Sequence, residues 1–110
     1  MYVTYILRCE DDTLYTGIAA DLERRMRQHF SKDKRCARYT RWHTAKQLEA
    51  AWESEDRASA SRLEYRIKQL TREQKERLIA EDAFAALLGD VLEAEEYRRM
   101  DLTNEDAEQL

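Results

Sequence analysis

One glycine, Gly17, stands in the first 88 residues of this chain, and its 110 residues include no proline. A backbone so short of both types has few positions where a left-handed turn or a rigid kink costs little. Collagen-like, Pro/Gly low-complexity and mucin-like architectures are excluded, because the residues they need are missing. A phosphate-cradling P-loop and a glycine-rich dinucleotide turn are excluded for the same reason. Regular elements joined by polar turns remain. Gly17 then matters because it falls inside a segment that reads as a strand, where a missing side chain marks either a bulge or space for a close neighbour. The sequence leaves both readings open.

Residues 2–9, YVTYILRC, are rich in β-branched and aromatic types and run into the polar Glu10-Asp11-Asp12-Thr13; residues 14–19, LYTGIA, repeat the pattern. Together they predict a β-hairpin. Asp21 makes a good N-cap, and Leu22, Met26 and Phe30 recur every four residues, which predicts a helix over about 21–32. Residues 31–46 show no period and read as an irregular basic loop. KQLEAAWES, near 46–54, is the candidate third strand, although alanine and glutamate are poor strand formers. From Asp56 the period turns helical, with Ala60, Leu63, Ile67 and Leu70 on one face. Thr71 followed by Gln74 matches a capping box and starts another helix. Phe84, Leu87, Leu88, Val91 and Leu92 follow amphipathic spacing, interrupted or ended by Gly89. The expected fold class is α+β: a three-stranded antiparallel sheet flanked by helices, with an added C-terminal helix. The expected division is a domain over 1–81, an amphipathic acidic helical extension over 82–97 and a frayed acidic tail over 98–110.

A chain of this length builds one core, hiding roughly 60–70% of its unfolded surface. No apolar run approaches the ~20 residues that span a bilayer, and the N-terminus lacks the pattern of a signal peptide. Two cysteines, Cys9 and Cys36, make at most one bridge, so free thiols and a soluble, cytoplasmic protein are expected. The net charge of −4 is unevenly spread, since residues 81–110 hold ten acids and two bases while the first 80 carry a surplus of four positive charges. Nine bases crowd into residues 21–46, interleaved with aromatic rings and both histidines. Arg24, Arg27, Lys34, Arg35, Arg38, Tyr39 and Arg41 are the candidate nucleic-acid contacts there. A solvated helix face and loop is the alternative.

Arg25 and His29 lie four apart on one flank of the Leu22/Met26/Phe30 stripe, whereas Arg24, Arg27 and Gln28 are expected to point away. Each could be an edge residue or part of a site. Glu64 borders the apolar stripe of its helix and either pairs with Lys68 or offers a carboxylate to a hard cation such as Mg²⁺. Cys9, Cys36, His29 and His43 lack the paired spacing of a zinc cluster.

The segments YVTYIL, LYTGIA, DLERRMRQHF, ARYTRWH, ASRLEYRIKQL and TREQKERLI, in this order and spacing, resemble the GIY-YIG nuclease domain over about residues 2–80. The likeness is to the small bacterial single-domain proteins of that superfamily in particular. The first signature falls on Val3-Thr4-Tyr5, where only the tyrosine survives, and the second on Tyr15-Thr16-Gly17, which keeps tyrosine and glycine. The helix arginine and histidine match Arg25 and His29, and the metal-binding glutamate matches Glu64. This resemblance implies a Mg²⁺- or Mn²⁺-dependent endonuclease that hydrolyses DNA phosphodiesters in repair or processing, structure-directed or weakly sequence-specific. Branched, nicked or single-stranded DNA would be the substrate. Glu64 would hold the metal, Arg25 stabilise the transition state, Tyr5 or Tyr15 orient or deprotonate water and His29 relay a proton, with Gly17 leaving room beside the phenols. A phenol of ordinary pKa near ~10 needs a nearby cation for such work. The alternatives are a catalytically weak nucleic-acid-binding module of the same fold, and self-association or a protein partner held by residues 82–97. The nuclease reading requires both tyrosines on one sheet face. That in turn requires an odd turn count or a bulge in the hairpin.

Overall fold

The computed structural model describes residues 1–31 and 42–102. YVTYILRC forms β1 (Tyr2–Cys9) and LYTGIA forms β2 (Leu14–Ala19), paired antiparallel from Val3↔Ala19 to Arg8↔Leu14 without interruption. The bulge reading of Gly17 is therefore corrected. The irregularities lie instead where β1 meets β3 (Ala45–Ser54): Ile6 faces Ala50 but Leu7 faces Leu48, leaving Glu49 as the extra residue. This shift moves Leu48 and Ala50 onto opposite faces and turns the Glu49 carboxylate to within 3.4 Å of Arg8.

Strand β3 forms despite its composition. Two neighbours hydrogen-bond it, and helices cover both faces of the sheet, so Ala50 and Ala51 are buried. Helix α1 (Leu22–Phe30) begins at the Asp21 cap and lays Met26 on one sheet face with Val3, Tyr5, Leu7 and Ala51. Helices α2 (Arg57–Lys68) and α3 (Arg72–Glu81) cover the other face, where Leu63, Ile67 and Leu78 meet Ile6 and Trp52. The capping box at Thr71 and Gln74 is present in both directions. Strand β1 is thus buried on both sides, and a one-residue slip would exchange Tyr5 and Leu7 for Thr4 and Ile6 in the wrong layer.

The C-terminal region differs from expectation. Instead of one helix over 82–97, residues Phe84–Leu88 form a short helix α4, and a 3₁₀ turn follows at Ala94–Glu96. The sheet has four strands rather than three, in the order β2-β1-β3-β4, because Arg98 and Arg99 form β4 against Glu53 and Trp52 instead of fraying. The helix ends at Leu88 with Gly89 as its cap, and Tyr97 returns to the core, where its hydroxyl donates to the Ser59 carbonyl at 2.7 Å. Phe84, Leu88 and Tyr97 share the core of α2 and α3, so most of this segment's apolar face is used within the chain.

Arg8 pins the hairpin loop to α3. Its side chain, 16% exposed, donates to Asp12 at 2.6 Å and Glu76 at 2.5 Å, and Arg72 reaches the same two carboxylates. The Arg8 hydrogen bonds hold both carboxyls below their ordinary pKa. Cys9 is a buried free thiol, and no helix among the described residues is long and apolar enough to cross a membrane.

Candidate active site

Five residues, Cys9–Thr13, separate the last hairpin pair Arg8↔Leu14. That odd count decides the geometry. Tyr5 faces Gly17 and Leu7 faces Tyr15, so both tyrosines lie on the face covered by α1. Their ring centroids are 6.3 Å apart, and His29, from the last turn of α1, lies 5.7 Å from Tyr5 and 5.6 Å from Tyr15. The Tyr5 hydroxyl and His29 Nε2 form a buried hydrogen bond of 2.8 Å.

Gly17 is the floor beneath these rings. A Cβ there would fall 2.7 Å from the Tyr5 oxygen, 2.9 Å from Tyr5 Cζ and 3.0 Å from Tyr15 Cε2. Its glycine is required by this close approach, not by a left-handed backbone. Gly17→Ala is expected to lower stability by about 1–3 kcal/mol through overpacking, since the displaced phenol is buried and hydrogen-bonded. Urea unfolding measures this; a variant as stable as the parent would show that the rings can give way.

The electrostatics follow from burial. His29 has its pKa pushed down to about 4, first by desolvation and then by the Arg25 charge. Burial pushes the Tyr5 phenol well above its ordinary range, with Tyr15 adding to the rise, Arg25 opposing it and Glu64 adding a further upward push. Tyr5 therefore feels the charges of Arg25 and Glu64 and the rings of Tyr15 and His29, although Glu64 comes from α2 on the other helical layer. The Glu64 carboxylate is 25% exposed and pairs with Lys68 at 3.2 Å, so the pairing read from their spacing is present within reach of the site.

Sequence spacing misassigned Gln28. Its side-chain carbonyl accepts from Arg25 Nη1 at 2.8 Å, so it holds the guanidinium and does not point away. The i, i+3 spacing was the available signal. Arg27 does face outward and pairs with Glu23, and Arg24 is exposed beside the Asp21 cap. Lys34, Arg35, Arg38, Tyr39 and Arg41 lie outside the described residues. Among the described residues no group of three His, Cys, Asp or Glu could hold a metal ion. A lone carboxylate does fit Mg²⁺, which typically keeps several waters and binds through one or two carboxylates plus substrate phosphate.

The family model described as the GIY-YIG catalytic domain matches residues 1–77. The chain belongs to the GIY-YIG family. Relatives of this GIY-YIG chain include the UPF0213 protein YhbQ of Salmonella typhimurium, 47% identical over 88 residues that cover 79% of this chain and 86% of that protein. YhbQ of Escherichia coli O139:H28 has the same identity and coverage. A solution NMR structure of the UPF0213 protein BH0048 from Bacillus halodurans is 38% identical, covering 73% of this chain and 84% of that one, with a TM-score of 0.47. Family membership makes the chain a member of a nuclease family and agrees with the α+β architecture.

Proposed function

We propose that this GIY-YIG domain is a divalent-metal-dependent DNA endonuclease, structure-directed or weakly sequence-specific, that acts in DNA repair or processing in the cytoplasm. The observation that carries the reading is the convergence of two phenols, a neutral imidazole and a guanidinium over Gly17 on one sheet face. Glu64 would hold Mg²⁺ or Mn²⁺; when bound, the cation offsets charge on the phosphate oxygens. Arg25, oriented by Gln28, stabilises the negative charge that builds on the oxygens around the pentacoordinate phosphorus.

Tyr15 is the half-buried phenol of the pair, so it is the one that meets and orients the attacking water. Tyr5 is buried, and its raised pKa makes it a poor phenolate. It keeps its proton and, through its hydrogen bond with Nε2 of His29, which burial keeps neutral at pH 7, positions the imidazole beside Tyr15. Arg24 and Arg27 on the outer side of α1, with the basic segment that contains Lys34, Arg35, Arg38, Tyr39 and Arg41, would track the phosphate backbone. Such contacts position DNA and carry little sequence information, which favours recognition of a branch, nick or single-stranded segment over a base sequence.

The test is cleavage of fluorophore-labelled nicked duplex, three-way junction and single-stranded DNA. Cleavage in Mg²⁺, stopped by EDTA and restored by Mn²⁺, is expected. Salt-sensitive binding of all three DNAs without cleavage in either metal would overturn the enzyme reading in favour of a binding module.

A further inference from the structure

We propose that Thr4 is a positioning residue of this site, clamping the turn of α2 that bears Glu64 onto the strand that bears Tyr5. This inference rests on the nuclease reading above. Thr4 occupies the middle position of the first signature, where isoleucine would have no hydroxyl to offer. Here the side chain is fully buried, and Oγ1 donates to the Ala60 carbonyl at 2.9 Å, joining residues 56 apart in sequence. In an α-helix that same carbonyl accepts the N–H four residues later, which is Glu64. Tyr5 and Glu64 are thus connected by one peptide link and two hydrogen bonds that share an acceptor.

The connection is needed because the two residues belong to different layers. Tyr5 packs with α1 on one sheet face, whereas Leu63 and Ile67 pack α2 onto the other. Apolar packing holds α2 against the sheet but is non-directional, so it resists a small slide along the sheet weakly. A directional bond at Ala60 sets that register. Displacement of about 1 Å at a reacting group can cost about 100-fold in rate, so a fraction of that slide is enough to matter. The charge coupling of Glu64 to the Tyr5 phenol places the two ends of this connection within electrostatic range.

Thr4→Val removes the hydroxyl and keeps the shape; Thr4→Ser keeps the hydroxyl. For Thr4→Val, kcat on a nicked duplex is expected to fall about 5–20-fold with KM for DNA changed less than about twofold. The half-saturating Mg²⁺ concentration should rise about fivefold, and Mn²⁺ affinity of the resting protein, read by EPR without turnover, should weaken similarly. Thr4→Ser should recover both metal readouts. Parental Mg²⁺ dependence and Mn²⁺ affinity in Thr4→Val, or a Thr4→Ser variant no better than Thr4→Val, would overturn the proposal. If Thr4→Val unfolds at the assay temperature, Thr4→Ala against Thr4→Ser at lower temperature makes the same comparison and decides in the same way. A Glu64→Gln protein that binds Mn²⁺ like the parent overturns the underlying site reading, an outcome seen without any Thr4 variant.

Discussion

Glu64→Gln is expected to lower cleavage of nicked DNA in Mg²⁺ by about a thousandfold while leaving the fold intact. The rate loss follows from removing the carboxylate that, among the described residues, the site offers to a cation, and with it the offset of charge that develops on the phosphate. The fold should survive because the carboxylate pairs with Lys68 at the protein surface, a contact of a kind worth about 0–1 kcal/mol, and glutamine is nearly as good a helix former as glutamate. Binding to the same DNA in EDTA should be unchanged or slightly tighter, since one negative charge is lost near the phosphates. Single-turnover cleavage, thermal melting and an EDTA binding titration separate these effects. More than a tenth of parental activity in the variant would mean that Glu64 does not hold the metal.

Acid should destabilise the protein well before its carboxylates protonate. His29 titrates near 6.5 in the unfolded chain and at about 4 in the fold, so between those values the unfolded state alone takes up a proton there. Stability is therefore fully present above pH 6.5 and declines as pH falls toward 4, by about 3 kcal/mol at the end of that window. Asp11, Asp12, Asp56 and Glu76 all have lowered pKa values, so their contributions are lost only as pH falls below their ordinary values of 3.8 to 4.5. The His29 loss is accordingly separable. Cys9, Tyr5 and Tyr97 set the opposite edge: burial raises all three, so stability declines once pH exceeds 9 to 10, where the unfolded thiol and phenols ionise and the buried ones do not. Urea unfolding from pH 4 to 11 should show a plateau between these limits, and His29→Gln should flatten the slope between pH 6.5 and 4.5. A slope that survives the substitution would trace the acid loss to other groups.

Local features were readable without the fold. The capping box at Thr71 and Gln74 and the Asp21 cap act over three residues, and the structure has both. Leu22, Met26 and Phe30 marked the buried side of α1 because helical period alone assigns a face. Strand β3 was harder: the Ala-Ala pair favours no strand by itself and is buried only because sheet neighbours and helices enclose it. The apolar period through Phe84, Leu88 and Val91 was real, yet the helix ends at Leu88, because the bond from Tyr97 to Ser59 and the pairing of Arg99 with Trp52 are long-range.

Gly17 divides the two kinds of information most clearly. Its isolation in a glycine-poor chain, together with the order of the tyrosine, arginine, histidine and glutamate segments, determined from sequence alone that this strand omits a side chain at one place and which family the chain resembles. Whether the glycine makes a bulge or a floor was decided only by the five-residue hairpin loop, which puts Tyr5 and Tyr15 on one face, and by the packing of α1, which brings His29 over them. The physical reason is that strand period and helix period assign faces within an element, whereas register between elements is set by turn length, bulges and directional bonds such as that from Thr4 to Ala60, which join residues far apart in the chain.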